Sequence, residues 1–212
     1  MFNVPSAAWL LEAGALDGLE RSQIDAVRPR DDEHPLVTRL ASGEEVLVGK
    51  QSIVPLLQRA VERLELAGAS VICVLCTGEF PTLRSTARLL FPDRILAYAV
   101  EAVLPRGVLG VLMPHEGQRL MMERKWTTAE RTIVSAAVSP YDRGASFSNA
   151  IQSLERGGAE LIVMDCMGFD RAMQERVRSI ADVPVLLANG LTGSLLRELT
   201  GSFETAEVPS LV

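Results

Sequence analysis

Several things are scarce in this chain of 212 residues, and each scarcity excludes something. Aromatic residues make up 5% and there are only two histidines, His34 and His115, far apart in the sequence. No second Cys/His cluster exists, so a zinc site has no ligand set. Neither a Gly-x-Gly-x-x-Gly stretch nor a Walker loop is present, so a nucleotide cofactor has no cradle. There is no basic run, and the formal net charge is −6, which argues against nucleic acid or an anionic membrane surface as partner. The uncharged apolar run Ala69 to Gly78 is too short to span a bilayer. The opening Met1-Phe2-Asn3-Val4-Pro5 lacks a basic leader, and Glu12 interrupts the apolar stretch behind it, so no signal peptide is expected. Three cysteines do not make a disulfide framework in a chain of this size. A reducing cytoplasm is the expected setting, and the cysteines call for an explanation in packing or in chemistry.

What is present is an ample apolar fraction, 48%, in a regular order. After an irregular start, with Ala7 to Leu16 read as a short strand and Arg21 to Val27 as a short helix, Leu36–Leu40 and Glu45–Val48 read as a hairpin around Ala41-Ser42-Gly43. From Ser52, a potential cap, Ile53, Leu57, Ala60, Val61 and Leu64 share a helix face that Gly68 ends. Val71 to Leu75 is then a continuous apolar run, as a parallel strand covered on both faces would be. Helices are expected over 94–104, 115–126, 147–156, 171–180 and 191–199. Strands are expected over 108–113, 133–138, 161–164 and 185–188. Alternation of this kind predicts a layered α/β fold with parallel sheets flanked by helices. The tail after Gly201 has little periodicity.

The chain also repeats itself. Laid over Ala150–Gly168 at a constant offset of 90, Ala60–Gly78 shows eight identities in 19 positions without a gap. Leu64 meets Leu154, Glu65 meets Glu155, Gly68 meets Gly158, Ile72 meets Ile162, Cys76 meets Cys166 and Gly78 meets Gly168. Any two helix–strand units share apolar positions and a stopping glycine. That does not account for a cysteine at the same point of both, and two pseudo-symmetric lobes are the expectation. In open α/β sheets ligands gather at the carboxyl ends of strands, so Cys76 and Cys166 should face one cleft from opposite sides.

Two opposed thiols suit isomerisation of a carbon acid. One, as thiolate, removes a proton beside a carboxylate, and the other returns a proton to the opposite face. The N–H groups of Thr77-Gly78 and Met167-Gly168 can hold the carboxylate as negative charge develops. No metal or organic cofactor is required. The competing account is a pair of buried, inert cysteines, which pack as small apolar residues. Cys73, three residues before Cys76 on the same strand, points to the other face and is assigned to the core. His115 at a helix start is read as a cap neighbour. Thr38 and Arg39 interrupt an apolar strand, and the guanidinium can pair with a carboxylate unless it makes an ordinary surface ion pair. Ser139-Pro140-Tyr141 follows a strand and can line the cleft or merely form a turn. Asp165, beside Cys166, and Glu79 can orient a thiol or bind a cationic group.

Five stretches together carry a resemblance. Glu12-Ala13-Gly14-Ala15-Leu16-Asp17-Gly18-Leu19, Leu36-Val37-Thr38-Arg39-Leu40, Leu75-Cys76-Thr77-Gly78-Glu79-Phe80-Pro81, Ser139-Pro140-Tyr141 and Leu161-Ile162-Val163-Met164-Asp165-Cys166-Met167-Gly168-Phe169 resemble, in order, the motifs of the AroM family. That family is similar in turn to the aspartate/glutamate racemase superfamily, two-lobed α/β proteins with one catalytic cysteine per lobe. The resemblance implies a first lobe of residues 1–95 plus 185–212 carrying Cys76 and a second lobe of 96–184 carrying Cys166. It implies catalytic roles for the two cysteines, and association into a homodimer is a further expectation. AroM-like chains open with a strand and a Thr-Ile-Gly-Gln-x-Pro-Arg-like loop, and this chain starts past that point, so the first lobe is expected to be N-terminally incomplete. Classical amino-acid racemases follow the first cysteine with Asn-Thr and the second with Thr. Thr77-Gly78 and Met167-Gly168 stand there instead, which points away from plain aspartate or glutamate as substrate.

The expectation is therefore a cofactor-independent isomerase or racemase acting on a small carboxylate-bearing metabolite. Cys76 and Cys166 would be the acid–base pair. Thr77, Gly78, Met167 and Gly168 would seat the carboxylate, and Thr38, Arg39, Ser139 and Tyr141 would complete the substrate pocket. A variant of this chemistry uses one cysteine as nucleophile, as in a maleate-isomerase-like or decarboxylase-like reaction. The alternative is a non-catalytic metabolite-binding protein on a degenerate racemase scaffold.

Overall fold

The computed structural model describes residues 8–31, 33–142, 144, 146–201 and 203–204. In chain order its elements are β1 (Ala8–Trp9), α1 (Arg21–Ala26), β2 (Pro35–Arg39), β3 (Glu45–Gly49), α2 (Lys50–Leu66), β4 (Val71–Cys73), β5 (Arg88–Leu90), α3 (Pro92–Val103) and β6 (Gly107–Met113). A 3₁₀ turn at Glu116–Gln118 leads into α4 (Arg119–Trp126). Then follow β7 (Arg131–Ala137), α5 (Phe147–Arg156), β8 (Leu161–Met164), α6 (Arg171–Arg178), β9 (Val185–Leu187), α7 (Ala188–Thr200) and β10 (Phe203–Glu204).

The second half of the chain builds a four-stranded parallel sheet in the order β7-β6-β8-β9. Its central strands read as unbroken apolar runs because both faces are covered. Leu109, Val111, Met113, Leu161 and Val163 face a core shared with Leu36, Val48, Leu96, Val100 and Trp126. The alternate residues Leu112, Ile162 and Met164 face a second core, under Ile151 and Leu154 of α5 and Val177 of α6. Leu109, Val111, Leu112, Ile162, Val163 and Met164 are all fully buried.

The first half is assembled from pairs of strands. β2 and β3 form an antiparallel hairpin, closed by Gly43 at φ 88°. β4 and β5 pair in parallel and are covered by α2 through Val61, Ile72, Val74 and Phe91. β1 pairs in parallel with β10, so residues 203–204 return to the start of the chain. Ala7, at the start of the expected first strand, and the tail from 205 onward lie outside the described residues. Val185–Leu187, assigned from sequence to the first lobe, pairs with β8 at the edge of the four-stranded sheet. α7, which follows it directly, packs on α3.

The repeat is a structural duplication. Gly68 and Gly158 end α2 and α5 in the same left-handed conformation, φ 89° and 84°. Ala69 N–H returns to the Leu64 carbonyl at 3.0 Å, and Ala159 N–H to the Leu154 carbonyl at 3.1 Å. The matched glutamates act alike: Glu65 accepts from Ala87 N–H just before β5, and Glu155 from Asp182 N–H shortly before β9. Each therefore pins the neighbour of its own unit's strand.

Local expectations shift in three places. Ser52 is not the cap of α2. The cap position is Gly49, and the Glu33 carboxylate accepts from Ser52 N–H at 2.8 Å, because the hairpin carries Glu33 to the helix start. The helix expected from His115 breaks into the 3₁₀ turn and α4, with His115 Nδ1 accepting from Gly117 N–H at 3.0 Å. The strand expected to reach Leu75 stops at Cys73. Cys76 N–H folds back on the Val74 carbonyl, so Cys76 sits in a turn beyond the strand.

Candidate functional site

The loops after β4, β6 and β8 open on the same side, where they meet β2 and α4. Between them lies a cavity of about 70 Å³. A water needs roughly 10–15 Å³ by this measure, so the space suits a few waters or a small organic acid. Leu36, Val37 and Thr38 of β2 form one wall, Met121 and Met122 of α4 another, and Pro114 and Gln118 close it. Both cysteines line it, with Thr77, Gly78, Met167, Gly168 and Tyr141. Most of the sequence-predicted residues are thus brought together. Cys73, with no place in the cavity, pairs in the ladder opposite Leu90 and is half-buried rather than fully in the core.

The two cysteines have matching surroundings. Gly78 N–H points at Cys76 Sγ at 3.4 Å, and Gly168 N–H points at Cys166 Sγ at 3.3 Å. These N–H groups, expected to hold a ligand, rest on sulfur instead. The N–H groups one residue earlier, of Thr77 and Met167, have no hydrogen-bond partner among the described residues. A related pair of free donors therefore flanks the cavity, one beside each thiol. The two glycines differ in what confines them. A Cβ on Gly168 would lie 2.6 Å from Tyr141 Oη, whereas one on Gly78 would meet Leu36 Cδ2 at 3.3 Å.

Burial pushes the Cys166 thiol up to about 12, against the pull of Gly168 N–H and with a further push from Cys76. Burial also pushes Cys76 up, while Gly78 N–H and the Lys125 ammonium pull it back and Asp165 and Asp93 add to the rise. Burial, then the nearby Cys166, raises the Tyr141 phenol to about 12.

Arg39 and Ser139 stand behind the cavity wall rather than on it. The exposed Arg39 places its guanidinium over the Tyr141 ring, 5.8 Å from the centroid. Ser139 Oγ accepts from Tyr141 N–H at 3.1 Å and donates to Glu45 of the hairpin. Both hold Tyr141 in place. Thr77 lines the cavity, but its hydroxyl donates to the Asp165 carbonyl at 3.3 Å. Glu79 is exposed.

The sequence reading missed Lys125. Its ammonium donates to the Thr77 carbonyl at 2.8 Å and to both carboxylate oxygens of Asp165, at 3.0 and 2.8 Å. Trp126 Nε1 donates to Asp165 Oδ2 at 2.7 Å. The Lys125 and Asp165 side chains are 6% and 0% exposed. One signal was available: Lys50 and Lys125 are the only lysines among 21 basic residues. Asp165 thus does bind a cation, one supplied by the protein. Gln118 was also missed; its Nε2 donates to the Pro35 carbonyl at 3.0 Å and fixes α4 to β2.

No curated protein matches the chain in sequence. Among solved structures, arylmalonate decarboxylase superposes with a TM-score of 0.54 at 11% identity, over 76% of this chain and 81% of that one. The aspartate racemase of Picrophilus torridus superposes with a TM-score of 0.51 at 14% identity, over 72% and 71%. At these identities the likeness is one of fold, a racemase-like α/β scaffold. The family model described as AroM protein matches residues 3–200. The chain therefore belongs to the AroM family and folds as the aspartate/glutamate racemase-like proteins do.

Proposed function

We propose that this protein is a cofactor-independent isomerase or racemase of a small carboxylate-bearing metabolite, with Cys76 and Cys166 as its acid–base pair. The observation that carries this reading is the matched pair of thiols on one small cavity, each held by the N–H of the glycine two residues on. The substrate carboxylate is seated by the unpartnered N–H groups of Thr77 and Met167, with Thr38 and Tyr141 on the walls. One cysteine, as thiolate, takes the proton from the carbon beside the carboxylate. The C–H bond breaks, an S–H bond forms, and the electron pair delocalises into the carboxylate, where the N–H donors meet the growing charge. The other cysteine's S–H gives its proton to the opposite face, and that sulfur leaves as thiolate. Each glycine N–H is then placed to stabilise a sulfur at the moment it becomes charged, when such a hydrogen bond is strongest.

A second reading, a non-catalytic metabolite-binding protein on this scaffold, draws on one observation: burial raises both thiols above their ordinary range, which disfavours the thiolate that the reaction needs. One experiment separates the two. The protein, Cys76→Ser and Cys166→Ser are each incubated in heavy water with a pool of small amino and hydroxy acids, and α-deuteration is followed by NMR. Exchange that needs both cysteines is expected. Ligand binding without cysteine-dependent exchange would establish the binding module instead.

A further inference from the structure

The two halves match around their cysteines, but the match fails one residue before each. The counterpart of Asp165 is Leu75, which is 66% exposed. Asp165 is buried and holds Lys125, whose ammonium also grips the carbonyl next after Cys76. A single clasp therefore crosses between the two cysteine loops, tightened by Thr77 Oγ1 on the Asp165 carbonyl and by Trp126 Nε1 on the Asp165 carboxylate. Among the described residues it has no counterpart in the other half of the repeat.

Resting on the two-cysteine reading above, we infer that Lys125 is the positioning residue that breaks the symmetry of the site, favouring the thiolate at Cys76 and leaving Cys166 as the proton donor.

The charges around the two sulfurs support this assignment. Cys76 is faced by Lys125 of α4, by Asp165 from the loop after β8, by Asp93 at the start of α3, and by Tyr141. Lys125 is the cation in that set, and it lowers the cost of a thiolate at Cys76. The groups acting most on Cys166 are its own glycine N–H, Cys76 and Asp165, and both of those charges oppose a thiolate there. Three oxygen acceptors use the three donors of the ammonium. Lys125 is thereby fixed in orientation and does not take up substrate. It acts through Cys76 rather than on the reacting carbon.

The test reads the thiols themselves. Full-length protein carrying Cys73→Ser is alkylated with iodoacetamide across a pH series, and the modification at Cys76 and Cys166 is quantified separately by peptide mass. Only the thiolate reacts, and one unit of pKa is about tenfold in rate below the midpoint. Cys76 is expected to react at least about tenfold faster than Cys166 near pH 8. Lys125→Met should slow Cys76 about tenfold with little change at Cys166, and Lys125→Arg should restore it. Asp165→Asn should act in the opposite direction and speed Cys76, because it removes a negative charge and leaves the cation. Faster reaction at Cys166, an unchanged Cys76 in Lys125→Met, or a slowed Cys76 in Asp165→Asn would overturn the inference. Loosened packing alone would move both variants the same way. If Lys125→Met does not fold, the sign of the Asp165→Asn effect decides. Alkylation does not depend on turnover, so thiols that respond as described while heavy-water exchange is absent would defeat the isomerase reading, and with it the donor role of Cys166, and leave only the assignment of the more readily formed thiolate to Cys76.

Discussion

Replacing Lys125 by methionine removes one charge of a pair whose side chains are 6% and 0% exposed. The stem of the side chain keeps its shape and the apolar contacts of α4 survive. What changes is that the Asp165 carboxylate keeps a single donor, Trp126 Nε1 at 2.7 Å, and the Thr77 carbonyl loses its 2.8 Å partner. Breaking a buried pair on one side costs about 3–5 kcal/mol, because the remaining charge has neither water nor a counter-ion. An exposed pair would cost about 0–1 kcal/mol. Urea unfolding at neutral pH, followed by tryptophan fluorescence and far-UV circular dichroism, should show a loss in the higher range. The double variant Lys125→Met with Asp165→Leu removes both charges and leaves the Trp126 N–H unpaired, a cost of about 1–3 kcal/mol. The double variant should therefore be more stable than Lys125→Met alone. A cost below about 1 kcal/mol for Lys125→Met, or strict additivity in the double variant, would refute the buried clasp.

Two further outcomes follow from the site's geometry. Gly168→Ala places a methyl 2.6 Å from Tyr141 Oη and 2.9 Å from Pro140 Cγ, and should cost about 1–3 kcal/mol in urea while displacing the phenol from the cavity. Gly78→Ala meets its nearest atoms at 3.3 and 3.5 Å and should cost less, so the reverse order would count against the packing described. On the alkaline side, Cys73 is held up to about 11 by burial, and Cys166 and Tyr141 to about 12. The folded state then keeps protons that the unfolded state releases from pH 9–10 upward. Stability is complete below that range and falls as pH rises toward 12. Thermal melts over this range should show a decline that Cys166→Ser makes shallower, whereas a flat profile would contradict the burial of these groups.

Much of the fold was legible because it depends on local periodicity. The runs at 108–113 and 161–164 had to be strands covered on both faces, since no polar residue interrupts them. β5, by contrast, escaped notice: three residues behind Thr86-Ala87 and ahead of Pro92 carry no period. Its place is set by the β4 ladder and by Glu65 receiving its entry loop, both of which are long-range. The edge strand at 185–187 was recognised as a strand, but its pairing with β8 was not, because an apolar triplet does not reveal which strand it joins.

The sequence by itself determined the duplication and the place of the two cysteines within it. Helix, left-handed glycine, buried strand and Cys-x-Gly are each dictated over a few neighbouring residues, and the same local forces acted twice at an offset of 90. Only the tertiary structure decided how the two cysteines differ. Lys125 stands in Glu123-Arg124-Lys125-Trp126, which reads as an ordinary solvated helix end. Its partners lie 40 and 48 residues away, at Asp165 and Thr77. A lone lysine and a lone aspartate carry no period to announce that they meet. Their pairing is settled where α4 packs between the two cysteine loops, and burial there turns an ordinary charge pair into the feature that sets the halves apart.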